Sequence, residues 1–257
     1  MKTLDTLNFD NRFARLPEKL FSRVTPRGFA RPHLVAFNPD VAALLDLDPA
    51  EAKKTEFCAF FGGQKILPGS EPLAMKYTGH QFGIYNPELG DGRGMLLGQV
   101  RNSKGETWDL HLKGAGQTPY SRFGDGRAVL RSSIREYLGS ETMHHLGIPS
   151  TRALCIVGSD EPVQREKTEH GAMLLRVADT HIRFGHFEWL HHSSQPELLQ
   201  TLADHVIASH YPECRDDTQP YARFFDEVVT RTARLMAQWQ LVGFAHGVMN
   251  TDNFSIT

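Results

Sequence analysis

A two-lobed α+β protein, with strands and turns first and helices last, is what this sequence predicts. Three observations carry that expectation. The apolar runs GMLLGQV and ETWDLHLK flank the turn signal RNSKG and read as neighbouring strands. RALCIVG and AMLLRVA lie on either side of the charged connection SDEPVQREKTEHG and read as a second pair. Beyond about residue 190 the apolar residues recur at helical spacing. Leu198, Leu202 and Val206 fit one helix; Phe224, Phe225, Val228, Thr232, Leu235, Met236 and Trp239 fit a longer one. Both stripes are expected to be core. The division this suggests is a first lobe over 1–185 and a second over 186–257, with a cleft between them.

The N-terminal fifty residues are broken by Pro17, Pro26, Pro32, Pro39 and Pro49, with one short helix, PDVAALLDL, carrying Asp40 in its first turn. FFGGQKILPGSEPLA is turn-rich, and YTGHQFGIYNPELGDGRG is dense in glycine, which is costly in a plain core element. In ETWDLHLK, a period of two puts Trp108, Leu110 and Leu112 on one face, with Thr107, Asp109, His111 and Lys113 on the more polar one. Lys113 can then project into a cleft while its strand serves the core. VLRSSIREYLGSETMHHLG reads as a helix stopped by Gly147 and Pro149. Its apolar stripe is Leu130, Ile134, Tyr137, Leu138 and His145. A second stripe of Val129, Ser132, Ser133, Ser140 and Met143 surrounds Glu136, which suits close approach to a strand and delivery of Glu136 to a lysine.

Composition narrows the function. With 257 residues, Lys plus Arg at 28 and Asp plus Glu at 30, the balance argues against a general nucleic-acid binder. Cys58, Cys155 and Cys214 are far apart with no CxxC, so neither a disulfide framework nor a thiolate zinc site is expected. No apolar run approaches the roughly 20 residues that span a bilayer, and the N-terminus lacks a secretory apolar region. The expectation is a cytoplasmic protein with no membrane contact. His144-His145 and His191-His192 are adjacent pairs rather than HExxH, and no GxSxG is present.

Four places are candidates for chemistry. Lys113 could meet phosphate oxygens while Glu136 orients it; the bland alternative is two solvated side chains. Gly90-Asp91-Gly92-Arg93-Gly94 and Asp125-Gly126-Arg127 match no standard phosphate loop, but their N–H groups could form an anion nest, or they could be two ordinary turns. Arg176, on an apolar strand, and Arg183 could neutralise phosphate or pair with structural carboxylates. HGVMNTDN, residues 246–253, packs Asp252 and Asn253 into a short polar loop after the long helix. A carboxylate there could orient a hydroxyl and the amide oxygen could ligate a hard cation; an Asx-rich turn is the alternative. His246 could orient the loop or hold a structural hydrogen bond.

YTGHQFG, LGDGRG, LHLKGAGQTPYSRFGDGRAVLRSSIREYLGSETMHHLGIPSTRAL, LLRVADTHIRFGHFE and HGVMNTDNFSI together resemble the SelO/YdiU family. The resemblance covers much of the chain, and the block from Lys113 to Leu154 is the most specific part. It implies a protein-kinase-like fold and transfer of AMP from ATP to Ser, Thr or Tyr hydroxyls of protein substrates. ATP, bound in a flipped orientation, is then the co-substrate, with Mg²⁺ or Mn²⁺ as cofactor. By the same resemblance Gly90, Gly92, Arg93, Lys113, Asp125, Gly126, Arg176 and Arg183 would line the nucleotide and phosphate site. Glu136 would position Lys113, Asp252 would be the catalytic base and Asn253 a metal ligand. The first lobe, 1–185, would bind nucleotide, and 186–257 would begin a helical lobe with the catalytic loop. The family pattern continues past NFSI to a second metal-binding Asp, beyond Thr257, so the sequence is expected to be truncated, either a fragment of a longer enzyme or a catalytically impaired version; the full-length protein is expected to be a monomer. Kinase-type phosphoryl transfer and a non-catalytic nucleotide-binding module are the alternatives.

Overall fold

Period-two segments pair into one antiparallel sheet in the structure, a computed structural model that describes residues 1–257. In chain order its strands are β1 (Phe21–Arg23), β2 (His33–Phe37), β3 (Leu73–Met75), and, after a separate two-stranded hairpin of β4 (Gly79–Gln81) and β5 (Ile84–Asn86), β6 (Gly94–Arg101), β7 (Thr107–Lys113), β8 (Ala128–Val129), β9 (Arg152–Gln164) and β10 (Thr168–Ala178). Their spatial order is β1-β3-β6-β7-β10-β9-β2, with the short β8 also paired to β10. The helices are α1 (Pro39–Leu44), α2 (Thr55–Phe61), α3 (Leu130–His145), α4 (Phe184–His192), α5 (Pro196–His210) and α6 (Pro220–Leu241).

Local chemistry explains the boundaries. Between β6 and β7, Asn102 Oδ1 accepts the N–H groups of Lys104 (3.1 Å) and Glu106 (2.9 Å), closing the turn read from RNSKG. Asn38 caps α1 by accepting from Asp40 and Val41, with Pro39 at the first helical position. The hairpin of β9 and β10 runs further than the apolar runs suggest, so most of the expected connection SDEPVQREKTEHG is strand. Ion pairs from Arg165 to Asp125 and from Arg131 to Glu169 fasten this charged extension.

Both sides of the sheet's centre are covered. One face carries Leu110, Leu112, Leu175 and Val177 into a core shared with Phe57 and Phe61 of α2 and with Val41 and Ala42 of α1. The other carries Ala153, Ile156, Ala172 and Leu174, against which Leu130 and Tyr137 of α3 pack. The polar face of β7 is therefore buried too. Gln99 Nε2 donates to Asp109 Oδ1 (2.8 Å), and His111 Nε2 lies 3.3 Å from Asp91 Oδ2. Asp109 and His111 are buried, while Thr107 and Lys113 at the two ends of that face are half-buried. In α3 the small-residue stripe meets the sheet as expected, with Leu130 and Tyr137 of the apolar stripe packed there too. Ser133 is buried, whereas Leu138 is 60% exposed and Ile134 is exposed as well. Small side chains let the helix approach the sheet closely, and that advantage outweighs burying Leu138 and Ile134.

The chain forms two compact units. The first comprises Met1–Lys76, Gly90–Leu146 and Ser150–Ala178; the second comprises Tyr77–Leu89, Gly147–Pro149 and Asp179–Thr257. The first holds the sheet and the second most of the helix, the mixed α+β arrangement of a kinase-like two-lobed fold. In the second unit Leu198, Leu202 and Val206 of α5 are buried as expected. The expectation for α6 holds in part: Phe224 is buried, Val228, Thr232, Leu235, Met236 and Trp239 are half-buried, and Phe225 is 67% exposed. With Val229 also exposed, α6 presents an apolar face. An apolar-surface dye should therefore fluoresce with this 257-residue chain, and Phe225→Glu with Val229→Glu should remove most of that signal without shifting the melting temperature. No helix is long and apolar enough to cross a membrane.

Candidate active site

In the first unit the period-two argument for Lys113 holds at the end of β7. Register pairs Lys113 with Leu174 and His111 with Arg176, so Arg176 shares the face of Lys113, the one that α3 covers. From α3, Glu136 meets both: one carboxylate oxygen bonds the Lys113 ammonium, and the other accepts from Arg176 Nε at 2.5 Å. Burial first, then the charge of Arg176, pulls the Lys113 pKa from 10.5 down to about 8, against the upward pull of Glu136. Arg93 adds to that downward pull. Burial alone would push the Glu136 carboxyl up, but Arg176 and then Lys113 outweigh it and hold it at about 2. Lys113 and Arg176 thus share one carboxylate while Arg93 bears on Lys113, a local excess of positive charge that suits an anion.

The Gly-rich loops stand beside this group. Gly90 and Gly92 lie against Tyr120, whose hydroxyl is 3.0 Å from Ser22 Oγ, and the Gly114 N–H donates to the Arg93 carbonyl. Gly126 has φ +71° and sits hard against Gly116, so a side chain there would be both strained and clashing. Asp125 is committed: Arg165 forks onto its carboxylate at 2.7 and 3.0 Å, its Oδ1 accepts the Arg127 N–H, and these partners lower its pKa, Arg165 first. Arg127 is buried in the frame, donating to Glu161 at 2.7 and 3.0 Å and to the Arg27 carbonyl at 2.6 Å.

The second unit holds the other residues expected in the site. A short 3-10 turn, Thr251–Asn253, carries Asp252 and Asn253. Asp252 is buried; Gln81 Nε2 donates to its Oδ2 at 3.0 Å, and its Oδ1 is enclosed without a hydrogen-bond partner. Asn253 Nδ2 donates to the Val248 carbonyl. Arg183 Nη1 donates to the Asp252 carbonyl at 2.6 Å, and its guanidinium lies 4.8 Å from the centroid of the Tyr77 ring. Here Arg183 fixes the loop that carries Asp252. His246 stacks on Trp239 and its Nδ1 accepts the Val248 N–H, which is the structural alternative for that residue.

A family model described as "Protein adenylyltransferase SelO" matches residues 3–257. The chain belongs to the SelO family. Among curated proteins it is 61% identical over 256 residues to the "Protein nucleotidyltransferase YdiU" of Pseudomonas fluorescens strain Pf-5. The proteins of the same name from Pseudomonas putida strain GB-1 and Ectopseudomonas mendocina strain ymp are each 59% identical. In all three the match covers 100% of this chain and 53% of the relative, so the chain spans about half the length of the curated relatives it matches.

Inside this SelO chain the sequence reading missed a set of polar residues around the Asp252 loop. The His80 N–H donates to Thr251 Oγ1 and the Phe82 N–H to Asn250 Oδ1, so the backbone of β4 and its turn grips side chains of the loop. Thr251 Oγ1 in turn donates to Glu188 Oε2 at 2.8 Å, and Glu188 Oε1 lies 3.2 Å from His80 Nδ1. These residues fall within YTGHQFG and LLRVADTHIRFGHFE, which the resemblance quotes, but no spacing rule singles them out.

Proposed function

We propose that the protein is an adenylyltransferase that moves AMP from ATP to Ser, Thr or Tyr hydroxyls of proteins and releases pyrophosphate. The reading rests on the Lys113–Glu136–Arg176 cluster, which concentrates positive charge around a single orienting carboxylate, and on the family to which the chain belongs. In the proposed reaction the acceptor oxygen bonds to the α-phosphorus, the bond from that phosphorus to the bridging oxygen breaks, and pyrophosphate leaves. Lys113, Arg176 and Arg93 offset the charge of the polyphosphate and of the leaving group. Because Lys113 sits near pKa 8, its proton is loosely held in the empty protein, and an arriving anion strengthens its hold. The hydroxyl proton passes to Asp252, whose main service is alignment, since phosphoryl-type transfers need little help from a strong base.

A divalent cation fits the second unit in a limited way. No three His, Cys, Asp or Glu side chains are grouped to hold a metal. Asp252 Oδ1 is nonetheless a buried oxygen without a partner, and Asn253 is next to it in the chain. Mg²⁺ often takes only one or two protein oxygens, with phosphates and water completing its shell. Asn253, with Asp252 beside it, would hold Mg²⁺ or Mn²⁺, which supplies Lewis-acid neutralisation of phosphate charge when bound.

Labelled ATP tests the reading. The full-length protein, incubated with candidate acceptor proteins and Mg²⁺ or Mn²⁺, should leave the α-phosphate label on the acceptor and add one AMP to its mass. Label from the γ-phosphate would overturn adenylylation in favour of phosphoryl transfer. Nucleotide binding with no label on any acceptor would favour a non-catalytic module.

A further inference from the structure

One oxygen of the Asp252 carboxylate is held and the other is not. Gln81, the last residue of β4, donates its Nε2 to Oδ2, while Oδ1 is enclosed and unpaired. The direction of the Gln81 amide is itself set. Asn86, at the far end of β5, donates its Nδ2 to Gln81 Oε1 at 3.2 Å, so the nitrogen of Gln81 is the end left for Asp252. Backbone fit holds the carboxylate from a third side. A β-carbon at Gly79 would come within 2.9 Å of both the Asp252 β-carbon and its amide nitrogen, and only glycine admits so close an approach.

We infer that Gln81 is the positioning residue of Asp252, holding its carboxylate in place through Oδ2. The inference rests on the reading of Asp252 as the catalytic carboxylate. Gln81 does no chemistry in this scheme. It donates to Oδ2 and so fixes the side-chain torsion of the carboxylate. Asn86 acts through Gln81 by keeping the amide from turning round.

The test uses the full-length protein, beginning with the unchanged enzyme, whose α- or γ-phosphate label decides the reaction class separately. For whichever transfer that enzyme performs, Gln81→Met, similar in length but unable to donate, should lower kcat about tenfold, a fraction of what 1 Å of misplacement costs. KM for ATP should stay within about twofold and the melting temperature unchanged. Asn86→Asp should lower kcat in the unchanged background, because a carboxylate facing Gln81 Oε1 favours the turned amide. Combined with Gln81→Met it should add no further loss, the non-additivity expected of residues acting in series. Unchanged kcat in Gln81→Met, or equal and additive losses, overturns the assignment. A crystal structure of full-length Gln81→Met gives a readout that needs no activity. A rotated or disordered Asp252 carboxylate supports the inference, and an unmoved one sinks it.

Discussion

Glu136→Gln in the full-length protein should lower the proposed AMP transfer about 100-fold, the scale of 1 Å of misplacement at a reacting group. It should also cost the fold about 2–3 kcal/mol, read from a urea midpoint. Breaking a buried pair typically costs about 3–5 kcal/mol, and Glu136 keeps enough water contact to put it below that range. The loss arises because Lys113 and Arg176 would then face each other across a neutral amide. The pH dependence gives a second signature. The Glu136 carboxyl is held at about 2 rather than 4.5, so its stabilisation is complete above 4.5 and lost as pH falls toward 2. The substitution should flatten that acid limb. Lys113 adds a second rise at higher pH: with its pKa near 8 rather than 10.5, the folded chain binds fewer protons than the unfolded one between those values, and stability again rises with pH across that window. Without Glu136 the Lys113 pKa falls further, and the rise should begin below pH 8. An unchanged acid limb in Glu136→Gln would show that the carboxylate does not carry the pair.

Asp252→Asn should cut turnover of the full-length protein about 1000-fold, within the range expected for loss of a positioned proton acceptor. The melting temperature should hold or rise. A buried carboxylate with an unpaired oxygen is a cost the fold bears, and an amide of the same shape removes the charge. Single-turnover rates beside a thermal melt check both halves. A melt that falls by several degrees together with activity would mean that Asp252 is part of the frame rather than of the chemistry.

The sheet was largely legible because its signals are local. A period of two put Lys113 on the right face of β7, the turn RNSKG closed where Asn102 caps it, and Gly147 ended α3 at a positive φ. The face that α3 turns to the sheet was legible in part: the small stripe around Glu136 meets the strands and brings Glu136 to Lys113. That Leu138 and Ile134 stay exposed was not legible, because it depends on the surface the helix meets. In α6 the periodicity is genuine, but most of the stripe is only half-buried. In the site, Lys113 and Glu136 announce themselves as an ammonium and a carboxylate on suitable elements. Gln81 does not. Its partner is 171 residues away, and an isolated glutamine in a Gly-rich stretch carries no chemical signature until the chain has folded.

The margins of the large sheet decide how these molecules can stick to one another. β1 is three residues long, and β2, five residues long, follows Pro32 and is broken by a register shift between Leu34 and Ala36. Neither rim offers a long, flat row of unmet backbone groups on which a neighbour could template a strand. Clustering at high concentration should therefore proceed through greasy helix-to-helix contact, dissolve in mild detergent, and leave thioflavin dark.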